Sequence, residues 1–306
     1  MIQPTRKLSA LGRREIFTGY ALIAPFMILM FIFCFFVFFS GFAISLTDMQ
    51  GVNPGEFIGL ANYREVLTSP ELYAAIKTTF FYTLGALATQ VPVAFLLACL
   101  LNSMKNRFLS NFLRAAFFLP VLINTVVIAL LFRMLFNKDQ GIINWILGVI
   151  GLPNNIEWLM NSQYSIPLLI IVSFWQWTGF HMVYFMAQLQ TIDASIYEAA
   201  RIDGSGSLRT MFRITVPLMK PAFAYVMITA AIGCLQMFDL VFMLFPNALY
   251  GPGGSAKTLV AYIFDQAFNQ DFRIGFASAI GWVVFAIIFV VSLFQLKFLG
   301  VGSKEE

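Results

Sequence analysis

Six almost uncharged stretches punctuate the chain, each near or above the about 20 residues that a helix needs to cross about 30 Å of hydrocarbon. The first is Ile16–Thr47, and the second is Thr78–Met104. The third, Ala115–Phe132, falls just short of that length and extends past Arg133 if that side chain snorkels. The fourth lies within Trp158–Ile192, centred on Ile166–Leu189. The fifth starts after Pro221 and is expected to reach Phe245, crossing Asp239, and the sixth is Ile274–Leu296. Between the third and fourth, Gly141–Leu152 is apolar but too short to cross, so an interfacial or re-entrant helix is expected, with Trp145 and Trp158 at headgroup level. The Gly/Pro loop Tyr250–Thr258 stops the fifth run.

Composition agrees with that pattern. Only 34 of 306 residues are charged (19 Lys+Arg, 15 Asp+Glu), where a soluble chain of this length would have about 76. With 59% hydrophobic residues, 35 Phe and a mean hydropathy of +0.81, the chain is an all-α polytopic membrane protein. Arg6, Lys7, Arg13 and Arg14 precede the first run, but its apolar length is about twice a signal-peptide core and no small-x-small site follows, so it reads as an uncleaved span. Basic residues orient the spans. The N-terminus, the second-to-third loop, the fourth-to-fifth loop and the C-terminus hold 13 Lys and Arg against 6 on the other side, which puts both termini in the cytoplasm. The expected organisation is a cytoplasmic N-terminus at 1–15, one six-helix domain at 16–300 containing a cytoplasmic loop at 190–221, and a cytoplasmic tail at 301–306.

Chemistry is excluded more readily than assigned. One His (His181) and three Cys (Cys34, Cys99, Cys234) inside apolar runs make no metal cage and no hydrolase triad, so neither metal nor catalytic residues are expected. Polar groups at lipid depth should face the bundle interior or a wet cavity. In the fourth span Trp175, Thr178, Gly179 and Met182 form one stripe, and Gln176, Phe180, Tyr184 and Gln188 another. In the fifth, Gln236 and Asp239 share a face at i, i+3, where Asp239 either lines a pathway or anchors a helix contact. Asn124 reads as an interhelical hydrogen bond and His181 as a satisfied interior imidazole.

The fourth-to-fifth loop reads as two short helices about a glycine corner. Asp193 or Ser195 can cap the first and Gly204 end it, while Ser207 can cap the second. Leu208, Met211, Phe212 and Thr215 recur at i, i+3, i+4, i+7, as do Ile196, Ala199, Ala200 and Asp203. On spacing alone the hairpin either rests on the bilayer or docks a soluble partner.

The residues decide between them by resemblance. Glu198-Ala199-Ala200, Asp203-Gly204, Phe212, Ile214, Pro217 and Pro221 resemble the EAA loop of bacterial ABC importer permeases, EAA-x2-DG-x7-F-x-I-x-[LV]-P-x3-P, in a match that runs from Glu198 to Pro221. Ile58-Gly59-Leu60-Ala61-Asn62-Tyr63, Arg114 with Phe118-Leu119-Pro120, Gly141-Ile142-Ile143-Asn144, and Gly253-Gly254 before Ala261-Tyr262 extend the likeness to carbohydrate permeases of the maltose-transporter type, over residues 20 to 299. The Gly59-Leu60-Ala61-Asn62-Tyr63 run and the Gly253-Gly254 loop are similar to features of the first permease subunit of the maltose and glycerol-phosphate systems. Ser205 replaces the family's usual Ala after Asp-Gly.

The resemblance implies a type I ABC importer permease fold in the bacterial inner membrane. It implies a second homologous permease as hetero-dimer partner, two ATPase subunits that bind ATP and Mg, and an extracytoplasmic solute-binding protein. No nucleic-acid partner and no cofactor in this chain are expected. Glu198, Ala199, Ala200, Asp203 and Gly204 would couple to the ATPase. Trp175, Thr178 and Gly179, near which the family's sugar contacts fall, with Gln236 and Asp239, are the pathway candidates. The chain has no Walker A sequence, so ATP hydrolysis would belong to another polypeptide and this chain would be no enzyme. The competing class is an ion-coupled secondary transporter, for which Asp239 is the one membrane carboxylate and no inverted repeat is visible.

Overall fold

The computed structural model describes residues 10–245, 250–269 and 272–298; the expected tail at 301–306 and most of the expected N-terminal segment lie outside them. The described residues are helical, with two isolated β-bridges, Thr47 to Phe57 and Gln50 to Asn53. Contacts group the chain into two compact units: residues 1–66 with 266–282, and residues 67–265 with 283–306.

In the first unit, α1 (Ala10–Met30) runs through a π-helical turn at Phe31–Phe36 into α2 (Val37–Ser45) without leaving helical dihedrals. The stretch Phe17–Ser45 is long and apolar enough to span, and almost none of it is covered by the rest of the chain. On one face of α2, Phe38 and Phe42 pack on Trp282, with ring centroids at 4.6 and 5.0 Å. The helix end is closed by Asn62, whose amide donates to the Ser45 and Thr47 carbonyls at 2.9 and 2.8 Å. The Ser45 carbonyl is one that a helix C-terminus leaves unpaired. Tyr63 meets Ser45 Oγ at 2.7 Å. Two members of the Ile58–Tyr63 motif are thus structural fasteners. Gly275 has no room for a Cβ beside the Thr47 carbonyl, and its N–H donates to the Met49 carbonyl at 3.0 Å.

The chain crosses into the second unit through α3 (Ala61–Thr68). There α4 (Pro70–Ser103) packs along α8 (Ser162–Leu189), and the Tyr82 hydroxyl meets Ser173 Oγ at 2.7 Å. Between them come α5 (Arg107–Phe118), a 3-10 turn at Leu119–Leu122, α6 (Thr125–Leu135) and the short α7 (Ile142–Val149). After α8 follow α9 (Ala194–Ile202), α10 (Ser207–Thr210), a π-helical turn at Met211–Thr215, α11 (Val216–Leu218), α12 (Lys220–Leu235), α13 (Asp239–Leu244) and α14 (Leu259–Phe264). Last is α15 (Ile274–Phe298). Two apolar clusters hold this unit. One joins Tyr82, Ile128, Leu169 and Leu240; the other joins Phe95, Phe185 and Val226.

Among the described residues four helical stretches are long and apolar enough to span alone, and counting two bent pairs, Arg107–Leu122 with Thr125–Leu135 and Ser207–Leu218 with Lys220–Leu235, as one span each gives the six expected from the sequence. The expected third span is not straight. Arg107–Leu122 meets Thr125–Leu135 at 99°, and Asn124, read as an interhelical bond, instead caps α6 by accepting the Val126 N–H at 2.8 Å. The expected fifth span is also broken: α12 stops at Leu235, residues 236–238 leave the helix, and Asp239 opens α13 rather than sitting inside a continuous span. The apolar run hid both breaks, because hydropathy counts residues and not dihedral angles. The expected short helix after the third span is α7. Trp145 on it is exposed, while Trp158 is partly buried against Phe136 and Tyr164 and donates to Asn144 Oδ1 at 2.7 Å.

Candidate functional site

Two features stand out in the second unit: the loop between α8 and α12, and a cavity whose walls those same helices share. In the loop, Asp193 caps α9 by accepting the Ser195 N–H at 2.9 Å, and that backbone hydrogen bond holds its carboxyl below the usual carboxylate range. The far end closes in a Schellman turn. The Ser205 N–H donates to Ala200 O at 2.9 Å and the Gly204 N–H to Arg201 O at 3.1 Å, with Gly204 at φ +71°. Ser205 Oγ also accepts from Thr210 at 3.1 Å, and Tyr197 OH lies 3.3 Å from Thr215 Oγ1, so the two arms are tied across the corner. Gly206, not the expected Ser207, stands at the N-cap of α10, with no side-chain bond there.

Burial sorts the expected coupling residues. Glu198, Ala199, Asp203 and Gly204 are exposed, whereas Ala200 faces inward and is buried. On the second arm Leu208 and Phe212 are exposed while Thr215 turns in, so the expected apolar stripe is split between solvent and core. Ile202, 86% exposed, joins Leu208 and Phe212 as large apolar side chains left uncovered on a loop rich in charge. A groove of about 680 Å³ runs between the hairpin and the end of α4, lined by Leu100, Ser103, Glu198, Arg201 and Leu208 among others.

The cavity, about 290 Å³, has walls from four stretches of chain. Tyr82 and Gln90 come from α4, Thr125 from α6, and Gln176, Trp177, Phe180 and His181 from α8. The stretch Thr229 to Asp239 supplies the rest, including Gly233, Cys234, Gln236, Met237 and Phe238. Gln236 and Asp239, at the break after Leu235, line the cavity and are both exposed. Gln176 is fixed by donating to Thr125 Oγ1 at 3.0 Å. Gln90 is 2% exposed, and its Nε2 has no hydrogen-bond partner among the described residues. His181, read from the sequence as a satisfied imidazole, lines the cavity with its ring against Phe180 at 5.7 Å.

Of the pathway candidates, Gln236 and Asp239 line the cavity, and Trp175, Thr178 and Gly179 do not. Trp175 packs edge-on against Phe132 at 5.5 Å. Thr178 returns its hydroxyl to the Phe174 carbonyl. Gly179 passes so close to the Phe117 carbonyl that a Cβ would overlap it. On α8 the wall is drawn from the other stripe, Gln176 and Phe180, with Trp177 and His181 beside it, while Tyr184 stacks on Tyr225 at 4.5 Å. Gln90 was not singled out from the sequence. Its one signal is being the sole amide side chain between Thr78 and Cys99. Among the described residues no group of three His, Cys, Asp or Glu could hold a metal.

Comparison with known proteins gives consistent results. Residues 90–299 match the family described as binding-protein-dependent transport system inner membrane component. The arabinooligosaccharides transport system permease protein AraP of Bacillus subtilis (strain 168) is 36% identical, over 96% of this chain and 94% of its own. The lactose transport system permease protein LacF of Rhizobium radiobacter is 32% identical, over 95% and 97%. A chain in the crystal structure of a bacterial ABC transporter involved in the import of the acidic polysaccharide alginate superposes with a TM-score of 0.83 at 23% identity, covering 95% of this chain and 98% of that one. At that identity the likeness concerns the fold.

Proposed function

The chain belongs to the binding-protein-dependent transport system inner membrane components, and we propose that it is a permease subunit of an ATP-driven importer for a carbohydrate handed over by an outer solute-binding protein. In this reading it pairs with a second, homologous permease, and two ATPase subunits bind on the cytoplasmic side and hold ATP and Mg. Both termini and the α8–α12 loop face the cytoplasm, in line with the basic asymmetry of the loops.

One observation supports the coupling role above others. The hairpin is the covalent connection between α8 and α12, and α8 supplies Gln176, Trp177, Phe180 and His181 of the cavity wall while α12 supplies Thr229, Ala230, Gly233 and Cys234. A cap at Asp193, a Schellman turn at Gly204 and the Tyr197–Thr215 contact make α9 a short rigid element, so force on it is passed on rather than absorbed. Glu198, Ala199 and Asp203 present the face that an ATPase cleft would take, Ile202, Leu208 and Phe212 add apolar area, and Gly204 makes the corner. Ala200 contributes by seating α9 on its own chain. Closure of the ATP-bound dimer would then shift the population towards the state in which the cavity opens outward.

The test uses Glu198→Ala and Gly204→Asp in the complete transporter. Both are expected to reach the membrane folded, while losing ATPase subunits on purification or losing uptake. Uptake and ATPase retention at the unmodified level in both variants would remove the loop from the mechanism.

A further inference from the structure

Family membership leaves open whether the carbohydrate is neutral, a uronate or a phosphate ester. We infer that the cavity takes an uncharged carbohydrate, with Gln90 as a specificity-determining hydrogen-bond donor in its wall; the inference rests on the carbohydrate-permease reading above.

The donors and acceptors along the wall carry the argument. Asp239 presents a carboxylate on the open side, and no Lys or Arg stands among the residues lining the cavity. Gln176 gives one Nε2 hydrogen to Thr125 Oγ1, which leaves its oxygen and one further N–H. Thr229 donates its proton to the Tyr225 carbonyl at 2.8 Å, which leaves lone pairs facing a ligand. Tyr82 is engaged with Ser173. Against these acceptors stand His181, which in its neutral form offers one donor and one acceptor, and Gln90. Gln90 Nε2 is buried without a partner, a cost that a ligand oxygen would relieve. A hydroxyl group suits such a wall, because it donates to Asp239, Gln176 or Thr229 and accepts from Gln90. An ionised carboxylate or phosphate can only accept, and it would find the Asp239 carboxyl and no Lys or Arg among the described residues lining the cavity. Trp177, Phe180 and Phe238 complete the wall with apolar ring surface, which suits the C–H face of a sugar ring.

The experiment reconstitutes the complete transporter in proteoliposomes with its binding protein and reads stimulated ATP hydrolysis. The probes are neutral arabinan, galactan and glucan oligosaccharides, oligogalacturonates of matching length, and glycerol 3-phosphate. Neutral probes are expected to stimulate at least about tenfold better than either anionic class. Gln90→Leu should lower the response to the best neutral probe by about three- to twelve-fold, with Gln90→His restoring part of it and the outward-facing control Phe289→Ala unchanged. Preferential stimulation by an oligogalacturonate or glycerol 3-phosphate overturns the inference, and the oligogalacturonate result leaves the carbohydrate reading standing. Stimulation by none of the probes overturns the carbohydrate reading itself. A Gln90→Leu transporter that responds like the control removes Gln90 from recognition.

Discussion

The Thr258 hydroxyl donates to the Met237 carbonyl at 2.7 Å, joining the Gly/Pro loop to the point where the fifth span breaks. The same oxygen accepts the Ala261 N–H at 3.4 Å to cap α14, and the Leu259 N–H donates to Thr79 Oγ1 at 3.0 Å on α4. A break in a helix at membrane depth frees carbonyls that lipid cannot satisfy. Thr258 supplies the missing donor, and so permits Gln236 and Asp239 to turn towards the cavity.

Replacing Thr258 by Val keeps the shape and removes that donor. Leaving a buried carbonyl unpaired costs about 1 to 3 kcal/mol, so thermal unfolding of the purified transporter should begin several degrees lower, and Thr258→Ser should recover most of the loss. Equal melting of the Val and Ser variants would mean that the bond contributes nothing.

At the crossing of α8 and α5, Gly179 lies against backbone rather than against a flexible side chain, so its neighbour cannot move aside cheaply. Gly179→Ala should therefore destabilise by about 1 to 3 kcal/mol or separate the two helices. Gly281, with open space at its Cβ position, is the control; Ala there should be neutral or slightly stabilising. A Gly179→Ala protein that melts with the Gly281→Ala control would show that the crossing is looser than its geometry.

The Asp193 cap gives α9 a pH dependence of defined sign. Its carboxyl is held below the ordinary range by the Ser195 N–H, so the ionised cap stabilises α9 above that range, and the contribution is lost as pH falls through the lowered value. The protection factor for hydrogen exchange at the first turn of α9, corrected for the intrinsic rate, should therefore fall below about pH 4. Asp193→Asn, which caps without ionising, should lose that dependence. The same acid response in both proteins would place its origin elsewhere.

The geometry of the α8–α12 loop was legible in the sequence because its signals are local: a cap residue, a glycine at a left-handed corner and a proline pair lie within one short segment. The cavity wall was legible only in part. Gln236 and Asp239 could be chosen as polar residues at lipid depth, but the choice between Trp175–Thr178 and Gln176–Phe180 depends on how α8 is rotated against α4 and α6. That rotation is set by contacts far apart in sequence, such as Tyr82 with Ser173 and Gln176 with Thr125. Gln90 was overlooked for a related reason, since one amide in a long apolar run gains meaning only when its neighbours prove to leave it unpaired. The bends at 119–125 and 236–238 rest on backbone dihedrals and loop contacts that hydropathy does not record.

Orientation remains the expectation with the widest consequences, because it decides which surface meets the ATPases. Thirteen basic residues against six place Lys105 inside and Asp139 outside. Both residues are exposed, Lys105 between α4 and α5 and Asp139 beyond α6, so each can report as a single cysteine once Cys34, Cys99 and Cys234 are replaced by Ala. An impermeant maleimide added to intact cells should modify Asp139→Cys and spare Lys105→Cys until the membrane is permeabilised. The reverse pattern would put the EAA hairpin outside, where no ATPase could reach it, and the coupling role of Glu198 and Gly204 would fall with it.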